Sequence, residues 1–151
     1  MAIVRPSKTS TRRRVPAHSS GRSNRRIRNR MEERVSLLSR RKAAIPQRLS
    51  DLDREWDIER AIEANAAVIA MSGVALAALH DRRWLALPAL VTGFLLQHAV
   101  QGWCPPVPVL RGLGFRTADE INAERMALKA IRGDFRGLEK SPQRALEAAR
   151  R

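Results

Sequence analysis

Residues 64–79 read ANAAVIAMSGVALAAL, and after the polar stretch His80-Asp81-Arg82-Arg83 residues 84–103 read WLALPALVTGFLLQHAVQGW. Neither run contains a charged side chain, so a helix built from either is apolar all round and has no face to turn toward water. The first run is sixteen residues long. As a helix it covers roughly 24 Å, short of the roughly 30 Å hydrocarbon core of a bilayer. It spans when Ala61 and Ile62 are included, with Glu63 near the interface or turned toward a partner. The second run is twenty residues with a tryptophan at each end, the pattern of an aromatic belt. Pro88 falls near its start, where a missing N–H costs least. A four-residue connection forces the two helices antiparallel. The pair predicts an all-α, two-helix transmembrane hairpin with spans at about 61–79 and 84–103. A soluble hairpin is disfavoured, because a chain of 151 residues has too little other material to bury two such helices.

Outward from the hairpin, charge is distributed unevenly. Residues 1–48 hold fifteen Lys and Arg against Glu32 and Glu33, whereas the remainder is nearly balanced, within a net charge of +14. The pI of 11.7 therefore belongs to an N-terminal arm. Residues 1–30 are rich in Arg, Ser, Thr and Pro and poor in large apolar side chains, so they are expected to be disordered. The arm lacks the apolar core of a secretory signal. Its Arg, Ser and Thr content is similar to that of an organelle transit peptide, although Gly, Pro and Asn break any amphipathic pattern before Met31. Residues 31–43 are weakly helical, and Pro46 interrupts them.

A new helix is expected near Ser50-Asp51-Leu52-Asp53, with Ser50 as cap and the acids at the positive end of the dipole, continuing unbroken to Leu79. Beyond the hairpin, Pro105, Pro106 and Pro108 stop the helix, and Leu110–Phe115 reads as a glycine-containing turn. Thr117-Ala118-Asp119-Glu120 matches a capping box, predicting a helix to about Arg132. Its stripe of Ile121, Leu128 and Ile131, with Phe135 beyond, is expected to pack on protein rather than lie on a membrane surface. Three segments follow: a basic arm over 1–48 with a possible short helix, the hairpin domain over 49–116, and a helix with a tail over 117–151. Basic residues flank the outer ends of both spans, against Arg82 and Arg83 in the turn. Positive-inside counting then places both termini in the cytoplasm.

The segment Asp57–Phe115 resembles the YgaP-like inner-membrane transmembrane domain, a small two-helix bacterial module found alone or fused to a rhodanese domain. The matching features are Asp57-Ile58-Glu59-Arg60, a small-residue first span with Gly73, and a short turn opening on Trp84. Gln97 late in the second span, the ending Gly102-x-Cys104-Pro105, and Leu113-Gly114 complete the match. The resemblance implies a bacterial inner-membrane location and dimerisation through the hairpin. Here Pro106-Val107 follows the Cys-Pro, where the family often has an aliphatic and an aromatic residue. Cys104 is the single cysteine, which leaves none for a rhodanese active-site loop, so sulfur-transfer catalysis is not carried over.

Among the residues themselves, Gln97, Gln101 and Cys104 are spaced i, i+4, i+7 and would share one helical face, with His98 bordering it and Asn65 at the same level on the other helix. Polar side chains inside a span face other helices or a cavity. They suggest either interhelical hydrogen bonds that hold a dimer, which is favoured, or a polar cluster around a thiol that handles a sulfur species or small anion. A helix C-terminus disfavours a thiolate at Cys104. The pairs Ala66/Ala70 and Gly73/Ala77 permit close helix approach. Arg12, Arg13, Arg14, Arg22, Arg25, Arg26, Arg28 and Arg30 are expected to bind anionic lipid. Nucleic acid is disfavoured for want of interleaved aromatics. One cysteine and scattered histidines suggest no metal site, and no cofactor motif or catalytic constellation is evident. The expectation is a non-catalytic inner-membrane module that self-associates or anchors a partner. Its rivals are thiol-dependent chemistry at Cys104 and a soluble nucleic-acid-binding protein.

Overall fold

The computed structural model describes residues 11–136, and these are helical with no strand among them. The helices are α1 (Thr11–Ala17), α2 (Gly21–Arg40), α3 (Ile45–Arg54), α4 (Ile58–Leu79), α5 (Ala86–Gln101), α6 (Pro106–Leu113) and α7 (Ala118–Arg132). Short 3-10 turns, Lys42–Ala44 and Arg82–Leu85, precede α3 and α5. The described residues form two compact units, 11–27 with 56–119 and 28–55 with 120–136. Each unit is therefore discontinuous in sequence, whereas composition divides the chain into three consecutive segments.

The first unit is built on the hairpin. Asp57 caps α4 by accepting from the Arg60 N–H at 2.7 Å, and the Ile58 N–H donates to the Arg116 carbonyl at 2.9 Å. With 22 residues, α4 is about 33 Å long. The turn is closed by Asp81, which accepts from the Arg83 N–H at 2.8 Å. The two helices meet along a seam of small residues on α4, with Ala66 and Gly73 buried and Ala70 and Ala77 half-buried. Gly73 is required there: a Cβ at this position would lie 2.6 Å from Pro88 Cδ and 3.2 Å from Leu87 Cβ. The small-residue spacings thus serve contact within the hairpin. Both α4 and the Arg82–Gln101 stretch are long and apolar enough to cross a membrane, and only 11% and 6% of their most apolar windows are buried.

At Gly102, with φ of 73°, the chain leaves α5, and its N–H closes on the His98 carbonyl at 2.7 Å. A left-handed residue at this point ends the helix and favours glycine. Of the stretch 110–115, expected as a turn, residues 110–113 instead complete α6, and Gly114, with φ of 104°, ends it. It is Gly102 and not the prolines that ends α5; the prolines start the next helix, because Pro106 sits at the first position, where no N–H is needed and φ is already set. Val15, Ile58, Ile62, Cys104 and Val107 form the core at this end of the hairpin, with Phe94, Leu95, Leu110 and Phe115 packed around them.

The arm, expected to be disordered, is helical over Thr11–Ala17 and Gly21–Arg40; residues 1–10 lie outside the described residues. Ser20 starts α2, its Oγ accepting from the Ser23 N–H at 3.1 Å. The supposed break before Met31 is not one. Ile27, Met31, Val35 and Leu38 recur at helical spacing and turn inward, Ile27 and Leu38 fully, and Val15 anchors α1 with no exposed surface. A few buried side chains, each contributing roughly 1.5–3 kcal/mol, give this arginine-rich segment its order.

The second unit packs α3, the later turns of α2 and most of α7 around Leu38, Ile45, Leu49, Leu52, Ile121 and Leu128, with Val35 and Ile131 against them. The expected stripe of α7 therefore packs on protein. Ser50 is not a cap: it lies within α3, accepting from Arg54 Nη2 at 2.8 Å, and Pro46 occupies the first turn of that helix. Nor is the helix continuous to Leu79, since Glu55–Asp57 separates α3 from α4. Glu124 is fully buried and receives Arg48 through Nε at 2.8 Å and Nη2 at 3.2 Å. Arg34 Nη1 adds bonds to both carboxylate oxygens, at 3.3 and 3.2 Å.

Candidate functional site: the open end of the hairpin

The register fixed by Gly73 against Leu87 and Pro88 brings Glu63, ten residues before Gly73, to the level of Gln97 and His98. This is the end where α4 begins and α5 stops, and it is where the sequence placed its polar cluster. The cluster does not assemble as spacing suggested. Cys104 falls beyond the left-handed turn at Gly102, so the i, i+4, i+7 relation with Gln97 and Gln101 no longer describes one helical face. Its side chain points into the apolar core with Val15, Ile58, Ile62 and Val107, 4% exposed. Burial pushes the thiol above its ordinary value, the opposite of what a nucleophile or persulfide carrier needs.

The remaining members are also separate. The Asn65 amide donates to the Ala61 carbonyl of its own helix at 2.8 Å. Gln101 is exposed and Gln97 half-buried. His98 is buried with neither ring nitrogen hydrogen-bonded among the described residues. Among the described residues no group of three or more His, Cys, Asp or Glu is disposed to hold a metal ion.

A different set of residues does converge at this end. The Arg14 guanidinium donates to the Val100 carbonyl in the last turn of α5, joining α1 to the hairpin beside the Val15 anchor. Asn24 holds the start of α2: its amide donates to the Pro16 carbonyl at 2.8 Å, and its Oδ1 accepts from Arg111 Nη2 at 2.7 Å. Arg111 is 1% exposed, and its Nη1 donates to the Phe115 carbonyl at 3.2 Å. On the outer surface of this α2 segment, Arg22, Arg25 and Arg26 are exposed. Nearby in sequence to the α4 start, the Arg60 guanidinium stacks 4.6 Å from the Trp56 ring centroid, and Trp103 follows α5, half-buried.

The other arm arginines are distributed differently. Arg28 and Arg30 are exposed on the second unit; the side chains of Arg12 and Arg13 lie outside the described residues. Asn24, Arg111 and Val15 were not singled out as an anchoring set by sequence. The signal available was modest: one apolar residue in each arginine-rich segment, and an amide between them. The second unit carries an apolar groove of about 370 Å3 between α2 and α7, lined by Met31, Val35, Ser36, Ser39, Ala123 and Ala127 with Glu32. No family model, curated protein or solved structure matches the chain.

Proposed function

We propose that the chain is a small bacterial inner-membrane protein whose α4–α5 hairpin crosses the bilayer with both termini in the cytoplasm, serving as a non-catalytic module that self-associates or anchors a partner. The observation that carries this reading is the outer surface of the hairpin. Met71 is 72% exposed, Leu79 87% and Leu96 68%, on helices with little charge. In water such a surface is an aggregation site; in lipid it is the ordinary surface of a spanning helix. Helical backbone is also the form in which a chain can cross a bilayer, since its hydrogen bonds close within the segment. Orientation rests on the arginines that flank the open end against only Arg82 and Arg83 at the turn. Kinship with the YgaP-like module is part of the same reading.

Self-association would use the outer faces of the hairpin, since Ala66 and Gly73 are covered within it; open space stands over Gly93 on α5. Burial of Cys104 tells against the thiol-dependent alternative. The test is fractionation and topology mapping. Membranes are washed with carbonate and high salt, and His80→Cys in a Cys104→Ala background is labelled with an impermeant maleimide. Retention with labelling only from outside the cell is expected. Release by salt without detergent would overturn the membrane reading and favour a soluble nucleic-acid-binding protein.

A further inference from the structure

The arm is not a loose tether. Val15 lies in the hairpin core, Arg14 is bonded to Val100, and Asn24 is bonded to a nearly completely buried Arg111. These contacts fix the first turns of α2 at the open end of the hairpin. With Asn24 and Ile27 turned inward, Arg22, Arg25 and Arg26 are left on the surface. None of the three has a carboxylate partner among the described residues. Three arginines within five residues are therefore exposed on a segment anchored to the end of the hairpin where Trp56 precedes α4 and Trp103 follows α5.

We propose that Arg22, Arg25 and Arg26 form a binding site for the phosphate headgroups of anionic phospholipids in the cytoplasmic leaflet. The site rests on the hairpin reading above, and it adds a specific lipid partner to it. The planar guanidinium presents paired N–H donors that match phosphate oxygens. Trp56, half-exposed under Arg60, supplies the amphipathic ring that suits the same depth. Lipid is favoured over nucleic acid because the arginines belong to the unit whose two long helices expose an apolar surface, and because no aromatic residue is interleaved with them along α2 for bases to stack on.

The experiment uses the full chain reconstituted into nanodiscs of phosphatidylcholine mixed with phosphatidylglycerol, and reads the lipid retained after detergent exchange by native mass spectrometry. The intact protein is expected to retain phosphatidylglycerol about tenfold over phosphatidylcholine, relative to their bulk ratio. R22Q/R25Q/R26Q is expected to bring the ratio close to one, while R22K/R25K/R26K keeps most of the preference. A preference unchanged in the glutamine variant overturns the site, as does equal retention by the intact protein. Displacement of the lipid by a single-stranded oligonucleotide would likewise overturn it in favour of nucleic acid. A parallel carbonate wash of neutral vesicles separates the two readings. Release there overturns the hairpin and the lipid site together, whereas retention with no lipid preference overturns the site alone.

Discussion

The two units solve the burial problem in opposite ways. The hairpin unit leaves Val68, Met71, Val74, Leu90, Leu96 and Val100 exposed and packs Gly73 of one helix so close to Leu87 and Pro88 that no side chain fits between them. The other unit hides its aliphatic side chains and also buries a carboxylate, Glu124, under two arginines. One leaves its apolar side chains uncovered, the other covers them. The same chain carries both because apolar residues all around a helix and apolar residues along one stripe call for different neighbours. The contrast teaches that the overall positive charge says little about either unit. What matters is where charge is absent and where it is paired.

That contrast can be broken by substitution. The largest effect is expected at Arg48. Arg48→Met removes the paired donors from a carboxylate with no solvent of its own and should cost about 4 kcal/mol, read as loss of hydrogen-exchange protection in α3 and α7. A cost below about 1 kcal/mol would show that the buried pair is not central to its unit. Next, Leu128→Ala should cost about 3 kcal/mol, because Leu128 is fully buried. Leu96→Ala, on the exposed hairpin face, should be close to neutral in the unfolding of detergent-solubilised protein. Equal costs at the two leucines would erase the distinction between the units.

A smaller effect sharpens the same comparison inside the hairpin. Gly73→Val places a branched side chain where even a Cβ lies 2.6 Å from Pro88, and overpacking should cost about 2 kcal/mol. Gly93→Ala meets nothing within 4 Å and should change thermal stability little or raise it slightly. Among the substitutions expected to destabilise, the mildest lies in the ion pair at the end of α7. Arg132 Nε donates to Asp134 at 2.7 Å, and this hydrogen bond holds the Asp134 carboxyl below its ordinary range. The depressed folded value means that its contribution is present above the unfolded carboxylate range and is lost as pH falls through the folded value. Asp134→Asn should therefore cost roughly 0.5 kcal/mol at neutral pH, with the difference in melting temperature closing in acid.

Much of the hairpin was legible in the sequence because its signal is a long run with no charge, which needs no knowledge of partners. The stripe of α7 was legible for a similar reason: Ile121, Leu128 and Ile131 repeat at helical spacing within a capped segment. The arm was not. Val15 and Ile27 are single apolar residues among arginines, and their value appears only once Ile58 and Val107 from far along the chain surround Val15. Helix α6 was missed because three prolines in four residues signal a stop, and whether they also start a helix depends on where the next cap falls. In the candidate site, helical spacing grouped Cys104 with Gln97 and Gln101. The grouping failed at Gly102, whose left-handed backbone turns the cysteine away. The anchoring role of Asn24 depends on Arg111, 87 positions later, and no local pattern carries it.

The interleaving of the two units also imposes an order of assembly on the ribosome. Leu38, Ile45, Leu49 and Leu52 are synthesised early, but their core closes only when Ile121 and Leu128 emerge. Both hairpin helices, α4 and α5, are made in between. During that interval the nascent chain holds a half-finished core that has nothing to close on, while both hairpin helices are already complete. On the hairpin reading proposed above, membrane integration would come before completion of the second unit, and a ribosome paused before residue 121 would display an integrated hairpin tethered to an unfinished domain.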